Sequence, residues 1–201
     1  MIRTLLACCV VAALGACAAP SGTDSPIETV QAAAFRADDA PSLTLFTMVN
    51  NRTGSGGHTA LMVSGSQRVI FDPAGSFRDE RVVERGDVLY GITPGWLQAY
   101  KSAHARETFH VVSQTITVSP ETAEKALRLV QANGPVAGAF CAQSTTAILA
   151  QLDGFESIQR TFFPVNVMEQ FATLPGVTTT KLFENDAGDV IDAVRAAELA
   201  Q

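Results

Sequence analysis

The chain has 201 residues, of which 47% are apolar and 17% charged, a composition typical of a folded domain and not of a disordered chain. Its 14 Lys and Arg residues against 20 Asp and Glu give a net charge of −6, and no stretch concentrates the basic residues, so nucleic acid is not an expected partner. Three of the 4 cysteines, Cys8, Cys9 and Cys17, lie near the N-terminus, and only Cys141 follows them. This distribution excludes a disulfide scaffold and a zinc site made of four thiolates.

The N-terminus has the pattern of an export signal. Arg3 is followed by an apolar run over residues 5–14, which is too short to span a bilayer and is typical of a secretory signal peptide. The sequence LGAC at residues 14–17 resembles the lipobox of bacterial lipoproteins, which implies removal of residues 1–16 and lipidation of Cys17. An ordinary signal peptide cleaved near Ala19, with Cys17 discarded, is the alternative.

Residues 17–42 are rich in Ala, Ser, Pro, Thr and Asp and are predicted to form the lipidated N-terminus and a flexible tether, in which residues 27–36 suit a short helix. Residues 43–201 are predicted to form the folded domain. By resemblance to sorted bacterial lipoproteins, Ala18 implies the periplasmic face of the outer membrane. The lipid is then the only expected link to a membrane, because no later segment is apolar enough to cross one.

The folded part alternates between patterns typical of strands and of helices. Strands are predicted over residues 43–49, 58–63, 68–72, 87–92, 107–118 and 177–183. Helices are predicted from Pro94 onwards and over residues 120–133, 140–152, 164–171 and 187–199. This order indicates an α+β domain whose antiparallel sheet has helices packed on one face.

Cys141 is the first candidate for chemistry, because it opens the helix predicted from Phe140. A thiol in a first helical turn faces unpaired backbone N–H groups and the positive end of the helix dipole, which favour the thiolate. The N–H of Cys141 is also placed to stabilise an oxyanion. The alternative is a core thiol, since Cys141, Thr145, Ile148, Leu149 and Leu152 share one face of the helix.

His58 is the candidate base. It lies where the glycine-rich residues 54–57 give way to a strand, a position from which an imidazole can project into a cleft. His104, at the end of a helix, and His110, inside a strand, are interpreted as structural. A Cys–His pair needs only that the imidazole reach the sulfur in space, so the sequence separation of His58 and Cys141 is no objection.

Asp72 is the candidate that orients the imidazole, through the register of the predicted hairpin. If a three-residue loop is closed by Val63 and Gln67, Asp72 lies directly opposite His58 on the same face. If residues 65–66 form a two-residue turn instead, Asp72 points to the other face and no triad forms. The other interpretation of Asp72 is turn chemistry, because Asp-Pro commonly begins a turn.

The motifs GHTALMV at residues 57–63, IFDPAGS at 70–76 and FCAQST at 140–145 resemble the circularly permuted branch of the papain-like superfamily. In that branch the histidine strand precedes the cysteine helix, the reverse of the order in NlpC-type cell-wall peptidases. Residues 43–152 are also similar to the periplasmic domain of a bacterial lipoprotein N-acyltransferase family. The resemblance implies Cys141 as nucleophile, His58 as base and Asp72 as the orienting residue.

The function expected from these observations is that of an envelope lipoprotein acting as a thiol-dependent amide or ester hydrolase, with a cell-wall peptide or an acylated envelope molecule as substrate. Acyl transfer to or from lipids or lipoproteins is the second possibility. It is placed second because the acyltransferases resembled have a polar residue where this chain has Phe140. A non-catalytic binding module and a metal site using His58 and Asp72 are rivals, but we expect no cofactor and no metal.

Overall fold

The structure, a computed structural model, describes residues 24–199. The predicted leader (residues 1–16), the predicted lipidation site Cys17 and the first part of the predicted tether (residues 17–23) lie outside the described residues. Within residues 24–199, no helix combines the length and the apolar character that crossing a bilayer requires.

Seven strands form a single antiparallel sheet, so the α+β class is confirmed. The strands are β1 (Ser42–Asn50), β2 (Gly56–Ser64), β3 (Arg68–Phe71), β4 (Val83–Arg85), β5 (Val88–Tyr90), β6 (Phe109–Thr117) and β7 (Thr178–Leu182). Their order across the sheet is β4-β5-β3-β2-β1-β6-β7. The strand β1, buried along most of its length, lies between β2 and β6 near the middle.

The described helices are α1 (Ile27–Ala32), α2 (Pro94–His104), α3 (Pro120–Asn133), α4 (Cys141–Leu149), α5 (Pro164–Ala172) and α6 (Val190–Leu199). Sequence-level caps fix two of their starts. Thr93 accepts a hydrogen bond from the N–H of Trp96 at the start of α2, and Ser119 accepts one from Thr122 at the start of α3. Both helices therefore begin where their cap and proline predicted.

Helices pack on both faces of the sheet, so the expectation of a single covered face was wrong. One core joins alternate residues of the strands, such as Leu45 and Leu61, to α3, α4 and α5. The other core joins the residues between them, such as Phe46 and Ala60, to α2 and α6. The reason is visible in β1, whose side chains from Leu43 to Val49 are all apolar or Thr and therefore need cover on both sides.

The described part of the predicted tether packs against the domain. Within α1, Val30 is buried in the core, and the N–H of Ser25 donates to the carbonyl of Glu84 in β4. Further on, Arg68 at the start of β3 forms an ion pair with Asp39 at 2.6 Å. Residues 24–39 thus lie along the β3–β4 side of the sheet instead of extending from it.

Candidate active site

The hairpin of β2 and β3 sets the positions of two candidate residues. Its three-residue loop is closed by Ser64 and Arg68, one position later on each strand than predicted, so the predicted register was wrong. Each residue of β2 is therefore paired with a residue of β3 two positions later than predicted. A shift of two residues leaves every side chain on its predicted face of the sheet. Asp72 follows β3 directly and lies diagonal to His58, not opposite it.

His58 and Asp72 are joined by a hydrogen bond across this hairpin. The distance from His58 Nε2 to Asp72 Oδ1 is 2.7 Å, and the Asp72 side chain is 1% exposed. A buried carboxylate in this position fixes the tautomer and the rotation of the ring. Because Nε2 is occupied by Asp72, Nδ1 is the nitrogen left to serve the thiol.

Close packing explains the two glycines before His58. A Cβ at Gly57 would lie 2.6 Å from the ring of Phe109, and a Cβ at Gly56 would lie 2.7 Å from Pro164. Both glycines already belong to β2. The start of this strand is held between Phe109 on one side and α5 on the other, which fixes the backbone that carries His58.

Cys141 is the first residue of α4, as predicted, and its thiol meets His58. The N-terminus of the helix has no side-chain cap from Phe140, so the N–H groups of the first turn are left for other partners. The sulfur lies close to the side chain of His58 and to the backbone N–H groups of Thr59 and Ala142, and all three lower the pKa of the thiol. The strand that carries the histidine thus also supplies an amide to the thiol.

The helix α4 also presents the predicted stripe of residues to the core. Cys141 is 7% exposed, and the other four residues of the predicted stripe are buried as well: Thr145, Ile148, Leu149 and Leu152. The stripe runs from the core to the start of the helix, where Cys141 reaches the ring of His58. Burial and contact with a base are therefore combined in one thiol.

Electrostatics favour a proton on the imidazole of His58. Burial by itself lowers the pKa of His58, but the charge of Asp72, the hydrogen bond to it and the interaction with Cys141 raise that pKa to about 10. Burial raises the pKa of Asp72, and the His58 charge and hydrogen bond, with help from His104 and Tyr100, bring it below its usual value. Asp72 is therefore a carboxylate and His58 an imidazolium near neutral pH.

The same field favours the thiolate. Burial raises the pKa of Cys141, but the hydrogen bond and charge of His58 outweigh it, together with the N–H groups of Thr59 and Ala142. The net effect is a pKa below the ordinary value of a thiol. A thiolate–imidazolium pair is the ground state of cysteine nucleophiles that work at neutral pH.

Tyr100 completes the surroundings of the carboxylate, and the sequence analysis did not assign it there. Its hydroxyl donates to Asp72 Oδ1 at 2.8 Å from a fully buried position on α2. The other carboxylate oxygen, Oδ2, is buried and has no hydrogen-bond partner among the described residues. The available signal was a tyrosine on the apolar face of a helix, whose hydroxyl needs a partner when buried.

His104 is buried near the site and stays neutral. Its Nδ1 donates to the carbonyl of Tyr100 at 2.8 Å, and its ring stacks on that of His58 with centroids 6.2 Å apart. Burial lowers the pKa of His104 to about 4, although Asp72 and the Tyr100 carbonyl act against this. His104 thus has the structural role predicted for it, and its ring also packs beside that of His58.

His110 lies in a different environment. Its Nδ1 is 2.7 Å from Asn51 Oδ1, and its ring stacks on Phe183. Among the described residues, the hydrogen bond and the ring contact of His110 involve neither His58, Asp72 nor Cys141.

Asp87 was also missed, and it links the two halves of the site. Its Oδ2 accepts hydrogen bonds from the N–H of Ala74, in the turn after Asp72, and from the N–H of Val136, in the loop before Cys141, both at 2.8 Å. Its own carbonyl accepts from the N–H of Asp72. These partners lie far apart in sequence, so no local pattern marks Asp87.

Comparison with protein families, with curated proteins and with solved structures finds no match to this chain. Within residues 24–199, no group of three or more His, Cys, Asp or Glu side chains is arranged to hold a metal ion. Among the described residues, the candidate site brings together Cys141, His58 and Asp72.

Proposed function

We propose that the chain is a thiol-dependent amide or ester hydrolase with Cys141 as nucleophile, His58 as general acid and base, and Asp72 as the residue that orients His58. The observation that carries the proposal is the chain of contacts from the thiol of Cys141 to the imidazole of His58 and, through a hydrogen bond of 2.7 Å, to the buried carboxylate of Asp72. A core cysteine needs no such chain. A metal site would need a further ligand beside His58 and Asp72.

The reaction proceeds by nucleophilic acyl transfer. The Cys141 thiolate attacks the carbonyl carbon, and the developing oxyanion is met by N–H groups at the start of α4, that of Cys141 among them. The C–N or C–O bond then breaks as His58 gives its proton to the leaving atom. Water, deprotonated by His58, attacks the thioester and releases the acid, which restores the thiolate and the imidazolium.

The order of the three residues along the chain supports a circularly permuted papain-like arrangement. His58 stands in the sheet, Asp72 follows the next strand, and Cys141 begins a later helix that packs against the sheet. With the predicted lipobox at Cys17, we place the enzyme at the periplasmic face of the outer membrane. Peptides of the cell wall are the substrate class we favour there.

Acyl transfer involving lipids or lipoproteins is the second candidate, and exposed aromatic side chains favour it. Phe140, which directly precedes Cys141, is 42% exposed, and its ring contacts that of Phe162, which is 52% exposed. Phe163 is 67% exposed. Apolar surface beside the nucleophile suits an acyl chain.

Labelling with a neutral thiol-directed electrophile between about pH 6 and pH 7 tests the proposal, since an ordinary thiol is protonated there. We expect iodoacetamide to modify Cys141 at least about tenfold faster in the wild type than in His58→Ala, because one unit of pKa changes the thiolate fraction tenfold. His110→Ala, the matched histidine control, should label like the wild type. Cys141→Ser identifies labelling at this position.

Two results would overturn the proposal. One is a Cys141 that reacts no faster than a free thiol peptide and is indifferent to His58→Ala. The other is a labelled, reactive Cys141 in a protein that hydrolyses no member of a panel of peptide amides and acyl esters. Within the panel, preference for long-chain esters over peptides would favour the second candidate.

A further inference from the structure

A small cavity lies against His58, and the proposed mechanism has not used it. It has a volume of about 180 Å³ and is partly open. Its lining includes His58 and His104, the apolar side chains Met48, Phe109 and Val190, and the guanidinium-bearing Arg106. Pockets for drug-sized ligands measure about 300–1,000 Å³, so this one suits a single small group.

Arg106 is a buried cation whose hydrogen-bonding capacity is only partly used. The residue is 9% exposed, and its Nε is buried without a partner among the described residues. Arg106 forms a long ion pair, in which its NH1 group lies 3.6 Å from Asp186 Oδ2. The side chain of Asp186 is 69% exposed. A buried donor left unpaired points to a missing acceptor.

The other groups around the cavity do not supply that acceptor. His104 is neutral, and its Nδ1 donates to a backbone carbonyl. Asp189 also lines the cavity, and its Oδ1 accepts from the N–H groups of Ile191 and Asp192 at the start of α6. The cavity therefore presents one underused guanidinium among largely apolar walls, and a planar carboxylate is the anion that a guanidinium matches best.

We propose that this cavity binds the leaving group of the acyl substrate and that Arg106 recognises a carboxylate on that group. The proposal rests on the proposed function, because a leaving group is defined only by the cleavage at Cys141. His58 connects the two: the imidazole that touches the thiol also lines the cavity, and the atom that it protonates must lie beside it.

The chemistry then specifies the substrate further. The bond from the acyl carbon to Cys141 sulfur forms as the C–N bond breaks, the electron pair stays on nitrogen, and His58 supplies the proton. The amine released is an amino acid whose carboxylate lies on Arg106 and whose apolar side chain fills the space between Met48 and Phe109. The enzyme would thus remove a terminal apolar residue that has a free carboxyl group.

Two substrates that differ only in the leaving group test this specificity. N-acetylalanyl-leucine ends in a carboxylate, whereas N-acetylalanyl-leucinamide is neutral at the same place. We expect the wild type to prefer the first by about 10–100-fold in kcat/KM, the range for a hydrogen bond to a charged group. Arg106→Gln should lose that preference, while Arg128→Gln, an exposed arginine on α3, should keep it.

A measurement that needs no turnover separates this inference from the proposed function. The Nε–H signal of Arg106 in ¹⁵N NMR spectra of the full chain, identified by its loss in Arg106→Gln, should shift with added leucine and not with leucinamide. A shift in a protein that hydrolyses neither these substrates nor any member of the panel of peptide amides and acyl esters would refute the hydrolase and retain the carboxylate site. Cleavage of both substrates at equal rates, or an unmoved Nε–H signal, would overturn the carboxylate site.

Discussion

Gly75 leaves the space that the carboxylate of Asp72 occupies. A Cβ at Gly75 would overlap Asp72 Oδ2, and the N–H of Gly75 donates to the backbone carbonyl of Asp72 at 2.9 Å, which closes the turn after β3. The absence of a side chain at this position is therefore a condition for the hydrogen bond between Asp72 and His58.

Gly75→Ala should displace the Asp72 carboxylate and weaken its bond to His58. The pKa of His58 should then fall, the pKa of Cys141 should rise, and alkylation of Cys141 near pH 6 should slow at least about threefold, which corresponds to half a unit of pKa. The rate of labelling by iodoacetamide measures this. Gly138→Ala is the control, because a Cβ there meets nothing within 4 Å. Equal slowing in both variants would refute the explanation.

Tyr100→Phe removes one hydroxyl and keeps the ring that packs on Phe46 and Phe77. We expect the pKa of Asp72 to rise, since the hydroxyl that helps to lower it is gone. The loss of a hydrogen bond to a buried charge should lower the free energy of unfolding by about 1.5–3 kcal/mol, measured in urea. Tyr90→Phe, which removes a hydroxyl that does not contact Asp72, should leave the pKa of Asp72 unchanged. An unchanged stability would show that the Tyr100 hydroxyl is not coupled to Asp72.

Much of this arrangement could be predicted from short-range patterns. The start of α4 at Cys141 follows from the loop and helix signals around it, and the shared face of His58 and Asp72 follows from the two-residue period of strands. In the structure each residue of β2 faces a residue of β3 two positions later than predicted. Because side chains alternate with a period of two, Asp72 still points to the same face as His58. The class of the fold followed from the order of the elements, but the second helical layer did not, because residues 187–199 reach the sheet only through long-range packing.

The remaining parts of the site depend on contacts that no local pattern contains. Tyr100 is one of several apolar residues on its helix, and only the tertiary structure shows that its hydroxyl reaches Asp72. Asp87 lies in a turn between two short strands, where an acidic residue is unremarkable. Arg106 precedes another charged residue, Glu107, and nothing in this local sequence indicates burial, whereas the fold buries its guanidinium beside His58.

Asp87 should act as a positioning residue for both the acid and the nucleophile. Asp87→Ala leaves the partly buried N–H groups of Ala74 and Val136 without their acceptor, and the loss of each hydrogen bond should lower the free energy of unfolding by about 0.5–1.5 kcal/mol. Urea unfolding should show this loss, and alkylation of Cys141 should slow as its loop shifts.

Asp87→Asn separates position from charge. The side-chain oxygen is kept, and Asn tolerates the left-handed backbone at this residue, where φ is 60°. This variant should regain most of the stability and of the Cys141 reactivity that Asp87→Ala loses. Asp153→Ala, at an exposed ion pair with Lys125, is the control and should change neither. Failure of Asn to rescue the reactivity would show that the charge of Asp87, and not its hydrogen bonds, matters.

The thiolate–imidazolium pair should leave a signature in the pH dependence of stability. The pKa of His58 rises from 6.5 to about 10 on folding, while the pKa of Cys141 falls below 9.0. At pH values above 6.5 that lie between the lowered pKa of Cys141 and pH 9.0, the folded pair holds one proton, on the imidazole, and the unfolded pair also holds one, on the thiol. Because the two states bind equal numbers of protons there, the pair makes no contribution to the slope of stability against pH.

Above pH 9.0 the unfolded thiol loses its proton and the folded imidazolium keeps its own until about pH 10, so the free energy of unfolding should fall as the pH rises. In Cys141→Ser the unfolded state has no thiol proton to balance the imidazolium proton of the folded state. His58 then still has a raised pKa through Asp72, so the decline should begin near pH 6.5, where the unfolded imidazole deprotonates. Urea unfolding of both proteins across this range, with the double variant Cys141→Ser and His58→Ala as the reference, measures the difference. Parallel curves for the wild type and Cys141→Ser would mean that Cys141 keeps its proton in the folded state, which would remove the thiolate from the mechanism.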